Sequence, residues 1–171
     1  MDVDEPIEIV AFDPAWTEAA HAELRRLADV LSAWHVDLEH IGSTAVPGCA
    51  AKPIVDLLAG TRREERAPVA AAIEQAGYEH LGRAAPGRIY LRRRGEGNFN
   101  VHVVELESEL WRDNIVLRDY LRADSAARDE YARAKRHAAR ANPMLLAYSR
   151  AKSPALTDLL HRARATQQGR R

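Results

Sequence analysis

The residues of this chain whose types and order could do chemistry fall in one stretch. It runs His40-Ile41-Gly42-Ser43-Thr44-Ala45-Val46-Pro47-Gly48 and continues, after a short gap, as Lys52-Pro53-Ile54-Val55-Asp56-Leu57. Glycine at 42 lets a phosphate approach the backbone, since no Cβ blocks it. Ser43 and Thr44 offer hydroxyl and amide donors to phosphate oxygens. Lys52 could neutralise phosphate charge from the loop, and Asp56 could hold a divalent cation bound to that phosphate. The competing reading is structural: Gly-Ser-Thr is a plain turn and Asp56 a carboxylate with a local partner. An ionised carboxylate inside an apolar strand is costly without a partner or a metal, and this weighs toward function.

A second candidate segment is Asn98-Phe99-Asn100-Val101-His102-Val103-Val104-Glu105. The period of two puts Asn100 and His102 on one face and Val101, Val103 and Glu105 on the other. His102, flanked by valines, reads as a metal ligand or proton acceptor, against the commoner alternative of a satisfied structural histidine. Arg83, Arg88, Arg92, Arg93 and Arg94 read better as a solvated edge that resists sheet-to-sheet association than as a phosphate-binding edge. Arg118 and Arg122 are four apart and share a helix face. Trp16, Trp34 and Trp111 read as core. Cys49, the single cysteine, has no base assigned to it and is not read as a nucleophile.

These residues need a scaffold. Asp13-Pro14 opens a helix over 15–34, with Asp13 as cap. Strands are predicted over 36–41 and 53–59, the second closed by Gly60, with Asp56 in an otherwise apolar run. A helix over 68–76 stops at Gly77. Weaker strands fall at 78–82 and 89–93, and a strong one at 98–106. Helices follow over 109–121, 126–141 (capped at Asp124-Ser125) and 144–165. Asn142-Pro143 separates the last two, Ser153-Pro154 is a potential break, and the tail 166–171 is expected to fray. The order predicts an α+β arrangement: a mixed β-sheet packed by helices, with a helical C-terminal block.

Composition bounds the function classes. With 171 residues, one domain over 1–171 is expected. Lys plus Arg and Asp plus Glu number 25 each, so net charge gives no argument for nucleic acid or a membrane surface. One cysteine allows no intramolecular disulfide and no cysteine-based metal cluster. The acidic N-terminus lacks the features of a signal peptide, and no apolar run approaches the roughly 20 residues of a membrane span. A cytoplasmic location is the expectation.

Taken together and in order, several segments resemble the GrpB family over residues 7–163. They are the runs His40 to Gly48 and Lys52 to Asp56, Val101-His102-Val103-Val104, Leu117-Arg118-Asp119-Tyr120-Leu121-Arg122 and the opening Phe12-Asp13-Pro14-Ala15-Trp16. The pairs Tyr131…Lys135 and Tyr148…Lys152 complete the set. The resemblance implies a fold of the nucleotidyltransferase superfamily, of the polymerase-β type. It implies phosphate contacts at Gly42, Ser43 and Thr44, anion contacts at Lys52 and Arg118, and metal-binding or catalytic roles for Asp56 and His102. The second carboxylate position falls on Leu58, which cannot bind metal. The third falls near His102, with Glu105 less well placed. The implied activity uses a nucleoside triphosphate, ATP first, and Mg²⁺ or Mn²⁺, and modifies an unknown small acceptor. The alternatives are a nucleotide- or phosphometabolite-binding module that has lost catalysis, and a small interaction domain. Nucleic acid is not an expected partner, and the oligomeric state is left open.

Overall fold

The computed structural model describes residues 4–82 and 86–169. Helix α1 (Ala15–Val30) precedes strands β1 (Asp37–Ile41) and β2 (Val55–Thr61). Helix α2 (Arg66–Gln75) leads to β3 (Glu79–His80), β4 (Ile89–Arg93) and β5 (Phe99–Glu105). Helices α3 (Glu109–Ala123), α4 (Ser125–Ala141) and α5 (Leu145–Gln168) complete the chain. The strands form one sheet in the order β1-β2-β5-β4-β3. The β2–β5 pair is parallel and the other neighbours are antiparallel. The α+β expectation therefore holds.

Each sheet face has its own cover. Leu57, Ala59, Val101 and Val103 point toward α1 and α2, where they bury Leu27, Val69 and Ile73. Ile41, Leu58 and Val104 point the other way, onto Trp111 of α3. Both faces of β2 are apolar because both are covered, and each fully buried leucine or valine contributes about 1.5–3 kcal/mol. Asp56, Asn100 and His102 lie on the α3 side, at the end of the sheet where β1 hands over to Gly42.

Several boundaries differ from the sequence reading. Gly60 does not close β2, which continues to Thr61. A Cβ at Gly60 would lie 2.6 Å from the Trp111 ring, so this glycine makes room for a tryptophan. Helix α1 ends at Val30, and residues 31–34 continue as turns in which Leu31 N donates to Leu27 O and Trp34 N to Leu31 O. The strand expected over 78–82 shrinks to Glu79–His80. Pro154 lies inside α5 without ending it, and the helix runs on to Gln168 where a frayed tail was expected. Asp13 and Asp124 cap as predicted, accepting from Ala15 N and Ala127 N.

The arginines of β4 are not a solvated edge. β3, not β4, is the edge strand on that side of the sheet, and Arg92, Arg93 and Arg94 pair inward with Glu79, Glu23 and Glu5 respectively. Arg83 lies outside the described residues. The N-terminal segment straps the helical block to the sheet: Ile7 N donates to Pro143 O, Leu145 N to Glu5 O, and Val10 pairs with Ala51.

Candidate functional site

The site begins where β1 ends. Gly42 has φ 72° and ψ −168°, a region essentially restricted to glycine. A Cβ there would lie 2.9 Å from Asp56 Oδ2. Gly42 thus permits both the sharp exit from β1 and the close approach of the carboxylate on the neighbouring strand. Ser43–Ala45 form a 3₁₀ turn. The Thr44 side chain is buried, and its hydroxyl is 2.9 Å from the His40 ring Nε2, so that group is committed inside the protein.

Asp56 is held by its neighbours. Asn100, its register partner on β5, donates from Nδ2 to Asp56 Oδ1 at 2.6 Å. Asn100 Oδ1 accepts from Tyr90 Oη at 2.9 Å and from Arg94 Nη2 at 3.0 Å, which fixes the amide orientation. Lys52 Nζ stands 3.8 Å and His102 Nε2 3.7 Å from the same Oδ1, beyond direct hydrogen bonding. Oδ2 accepts no hydrogen bond among the described residues and faces Gly42. Burial pushes the Asp56 carboxyl up, but the Lys52 charge and the His102 and Asn100 contacts outweigh it and hold the group well below the usual carboxylate range. His102 stacks on Tyr90 with ring centroids 5.2 Å apart. Burial lowers its pKa against the pull of Asp56, so the ring is neutral at pH 7, and its Nδ1 is buried with no hydrogen-bond partner.

Around this carboxylate the cations are in excess. Lys52, Lys152 and Arg88 line the same cavity, of about 420 Å³. Burial disfavours the charge of each, and Asp56 opposes that loss in all three. Arg88 Nε is buried without a hydrogen-bond partner. Leu117, Leu121, Leu145 and Leu156 give the cavity an apolar end. Behind the Gly42 turn a chamber of about 60 Å³ is lined by Ser43, Tyr131, Lys135 and Tyr148. Lys135 and Lys152 lie over the rings of Tyr131 and Tyr148, at 4.5 and 4.8 Å. Lys135 also donates to Ala50 O and to Cys49 Sγ, the latter at 3.3 Å, and burial brings its pKa down to about 8. Cys49 therefore has a basic neighbour that the sequence did not reveal.

The structure brings Gly42, Ser43, Lys52, Asp56 and His102 together. Arg118 lines the cavity but is already engaged: Nη1 contacts Glu39 Oε2 at 2.6 Å and His40 O at 3.2 Å, and Nε contacts Asp119 at 2.8 Å. Leu58 is fully buried against Ile41, Val104 and Trp111. Glu105 sits at the far end of β5 and pairs with Arg63 at 2.9 Å. Tyr90 is a site residue that sequence reasoning missed, and Arg88 is one that it weighed but read as part of a solvated edge. The one available signal was the spacing of β4, which sets Tyr90 opposite His102.

The donor set decides which metal arrangement fits. Among the described residues no group of three or more His, Cys, Asp or Glu could hold a metal ion. A pair of bridged cations requires more carboxylates than Asp56. A single Mg²⁺, which keeps several waters and needs one or two carboxylates plus substrate phosphates, fits Asp56 Oδ2. Among the described residues no helix is long and apolar enough to cross a membrane.

This geometry has relatives. The UPF0157 protein of Halalkalibacterium halodurans is 32% identical over 163 residues, covering 94% of this chain and 84% of that protein. The crystal structure of the conserved protein GrpB from Enterococcus faecalis superposes with a TM-score of 0.76 at 29% identity, covering 91% of this chain and 98% of that one. Cid1 in complex with the UTP analogue UMPNPP gives a TM-score of 0.54 at 15% identity, over 77% of this chain and 43% of Cid1. That likeness shows the fold, which is the nucleotidyltransferase fold of the polymerase-β type. The GrpB protein family matches residues 6–162, and this chain belongs to that family.

Proposed function

We propose that the Asp56 cavity binds the polyphosphate of a nucleoside triphosphate, ATP first, and that a nucleotidyl group passes from it to a small acceptor. One observation carries this reading: Lys52, Lys152 and Arg88 crowd a cavity in which Asp56 is the sole carboxylate among the described lining residues. Burial works against each of these charges, and a polyanion would relieve all of them together. The turn at Gly42 and Ser43 receives phosphate oxygens. Lys52, Lys152 and Arg88 neutralise them, with Arg118 as a more distant anion contact. The apolar end formed by Leu117, Leu121 and Leu156 accommodates a base.

Asp56 Oδ2, with His102 as a second ligand, would hold one Mg²⁺ or Mn²⁺, which supplies charge neutralisation at the phosphates when bound. As the alternative role, His102, neutral at pH 7, would take a proton from the acceptor hydroxyl. Transfer of this kind rests on positioning and electrostatic stabilisation, which a preformed cationic cavity provides.

A second reading, a nucleotide-binding module without turnover, is favoured by Leu58, the apolar residue at the second carboxylate position. Thermal stabilisation by ATP, GTP, CTP and UTP, with and without Mg²⁺ or Mn²⁺, tests both. A shift in the wild type that is lost in Asp56→Ala and Lys152→Met supports the site. Pyrophosphate release on adding candidate acceptors separates the enzyme from the binder. No shift with any nucleotide overturns both readings.

A further inference from the structure

A second cleft lies on the outer side of β1, and the geometry points to it as a binding site for the phosphate group of a small phosphorylated molecule. If the nucleotide reading of the Asp56 cavity holds, that molecule is the acceptor. The cleft has a volume of about 510 Å³, larger than the Asp56 cavity and sufficient for a small metabolite. Its lining includes Arg118, Arg122 and Arg128 with His21 and His40, against one carboxylate among the described residues, Glu39. Glu39 is already taken by Arg118. Two further acids flank the arginines: Asp119 contacts Arg118 at 2.8 Å and Arg122 at 3.7 Å, and Asp129 contacts Arg128 at 3.3 Å.

The arginines are held in place without being used up. Arg122 Nε donates to Ala45 O at 2.8 Å, and Arg128 Nη1 donates to Pro47 O at 3.4 Å. Each guanidinium has five N–H donors, so donors remain available after the carbonyl contacts and, at Arg128, the hydrogen bond to Asp129. Pinning the loop alone would need no cluster of cations around a void. Burial and the neighbouring Arg118 both disfavour the Arg122 charge, and Asp119 and Glu39 oppose that loss. A phosphate group accepts from several guanidinium nitrogens at once.

The cleft and the cavity share a wall. Arg118 lines both. The loop whose carbonyls anchor Arg122 and Arg128 continues directly from the Gly42 turn, and the cleft residue His40 is bonded to Thr44 of that turn. A phosphate in the cleft would therefore sit just across β1 and its exit turn from a polyphosphate at Asp56.

Isothermal titration with glycerol 3-phosphate and with inorganic phosphate tests this on the wild type, Arg122→Gln/Arg128→Gln, His21→Glu and Lys52→Met/Lys152→Met. Both probes are expected to bind the wild type, with glycerol 3-phosphate at least as tight as inorganic phosphate. Affinity should fall about tenfold or more in the arginine double variant, the loss expected for hydrogen bonds to a charged group. It should also fall in His21→Glu, which places a carboxylate in the cleft without touching the loop carbonyls. The lysine double variant should retain phosphate binding while losing the nucleotide shift. Absence of phosphate binding by the wild type overturns the proposal. So do unchanged affinity in a folded arginine variant, inorganic phosphate binding with exclusion of the ester, and loss of phosphate binding in the lysine variant. Nucleotide stabilisation that survives the arginine substitutions keeps a failure here distinct from a failure of the nucleotide reading.

Discussion

Asn100 reaches across the parallel β2–β5 pair and donates its side-chain amide to Asp56 Oδ1 at 2.6 Å. The other end of the same amide is held by Tyr90 and Arg94. Asp56 therefore keeps one oxygen for the protein and presents the other beside Gly42. Replacing Asn100 by Ala removes a buried hydrogen bond to a charged group, which is worth about 1.5–3 kcal/mol. Urea unfolding should show a loss of that size, and the nucleotide-induced shift in melting temperature should shrink. Unchanged stability would mean that Asp56 is held mainly by Lys52.

Gly42→Ala tests the close approach directly. The substitution forces a non-glycine residue into φ 72° and sets its Cβ 2.9 Å from Asp56 Oδ2. The strain should cost about 1–3 kcal/mol. The displaced carboxylate should abolish metal-dependent stabilisation by nucleotides. A variant that folds and still shows that stabilisation would remove Oδ2 from the site.

Gly60→Ala probes the opposite end of β2. Its Cβ would lie 2.6 Å from the Trp111 ring and 2.8 Å from Leu106. Overpacking of this kind costs about 1–3 kcal/mol. The melting temperature should drop while the size of the nucleotide shift stays as in the wild type, because Gly60 is remote from Asp56 in the sheet.

His40 makes stability depend on pH. Burial lowers its pKa from 6.5 to about 4, against the opposing pull of Asp56. Between these values the unfolded chain takes up a proton that the native protein refuses. Stability from this residue is therefore complete above the upper value and falls as pH drops toward the lower one, by up to about 1.4 kcal/mol per pH unit. Asp56, Glu23 and Glu5, whose carboxyls are also held low, act in the same direction. The difference between wild type and His40→Gln isolates the histidine. Urea unfolding at pH 7, 5.5 and 4.5 should give a shallower slope for the variant; equal slopes would mean that His40 titrates normally.

What the sequence by itself determined was local and periodic. Val-rich alternation marked β5, and the period of two correctly put Asn100 and His102 on one face. The caps at Asp13 and Asp124 were readable because a side-chain oxygen satisfies a backbone donor only two or three residues away. The Gly42-Ser43 turn and the lone Asp56 stood out as breaks in apolar patterns.

What only the tertiary structure decided depends on residues distant in the chain. Gly60 looked like a strand terminator until Trp111, more than fifty residues later, was packed against it. Arg92, Arg93 and Arg94 looked solvated until Glu79, Glu23 and Glu5 were brought to them. Arg118 looked like a free anion contact until β1 supplied Glu39, and Cys49 looked isolated until α4 supplied Lys135. Charge and close contact act through space over a few ångströms, whereas periodicity reports only neighbours along the chain. The excess of partly buried cations around Asp56, which carries the functional reading, therefore emerged only when β2, β4, β5 and α5 were assembled around one cavity.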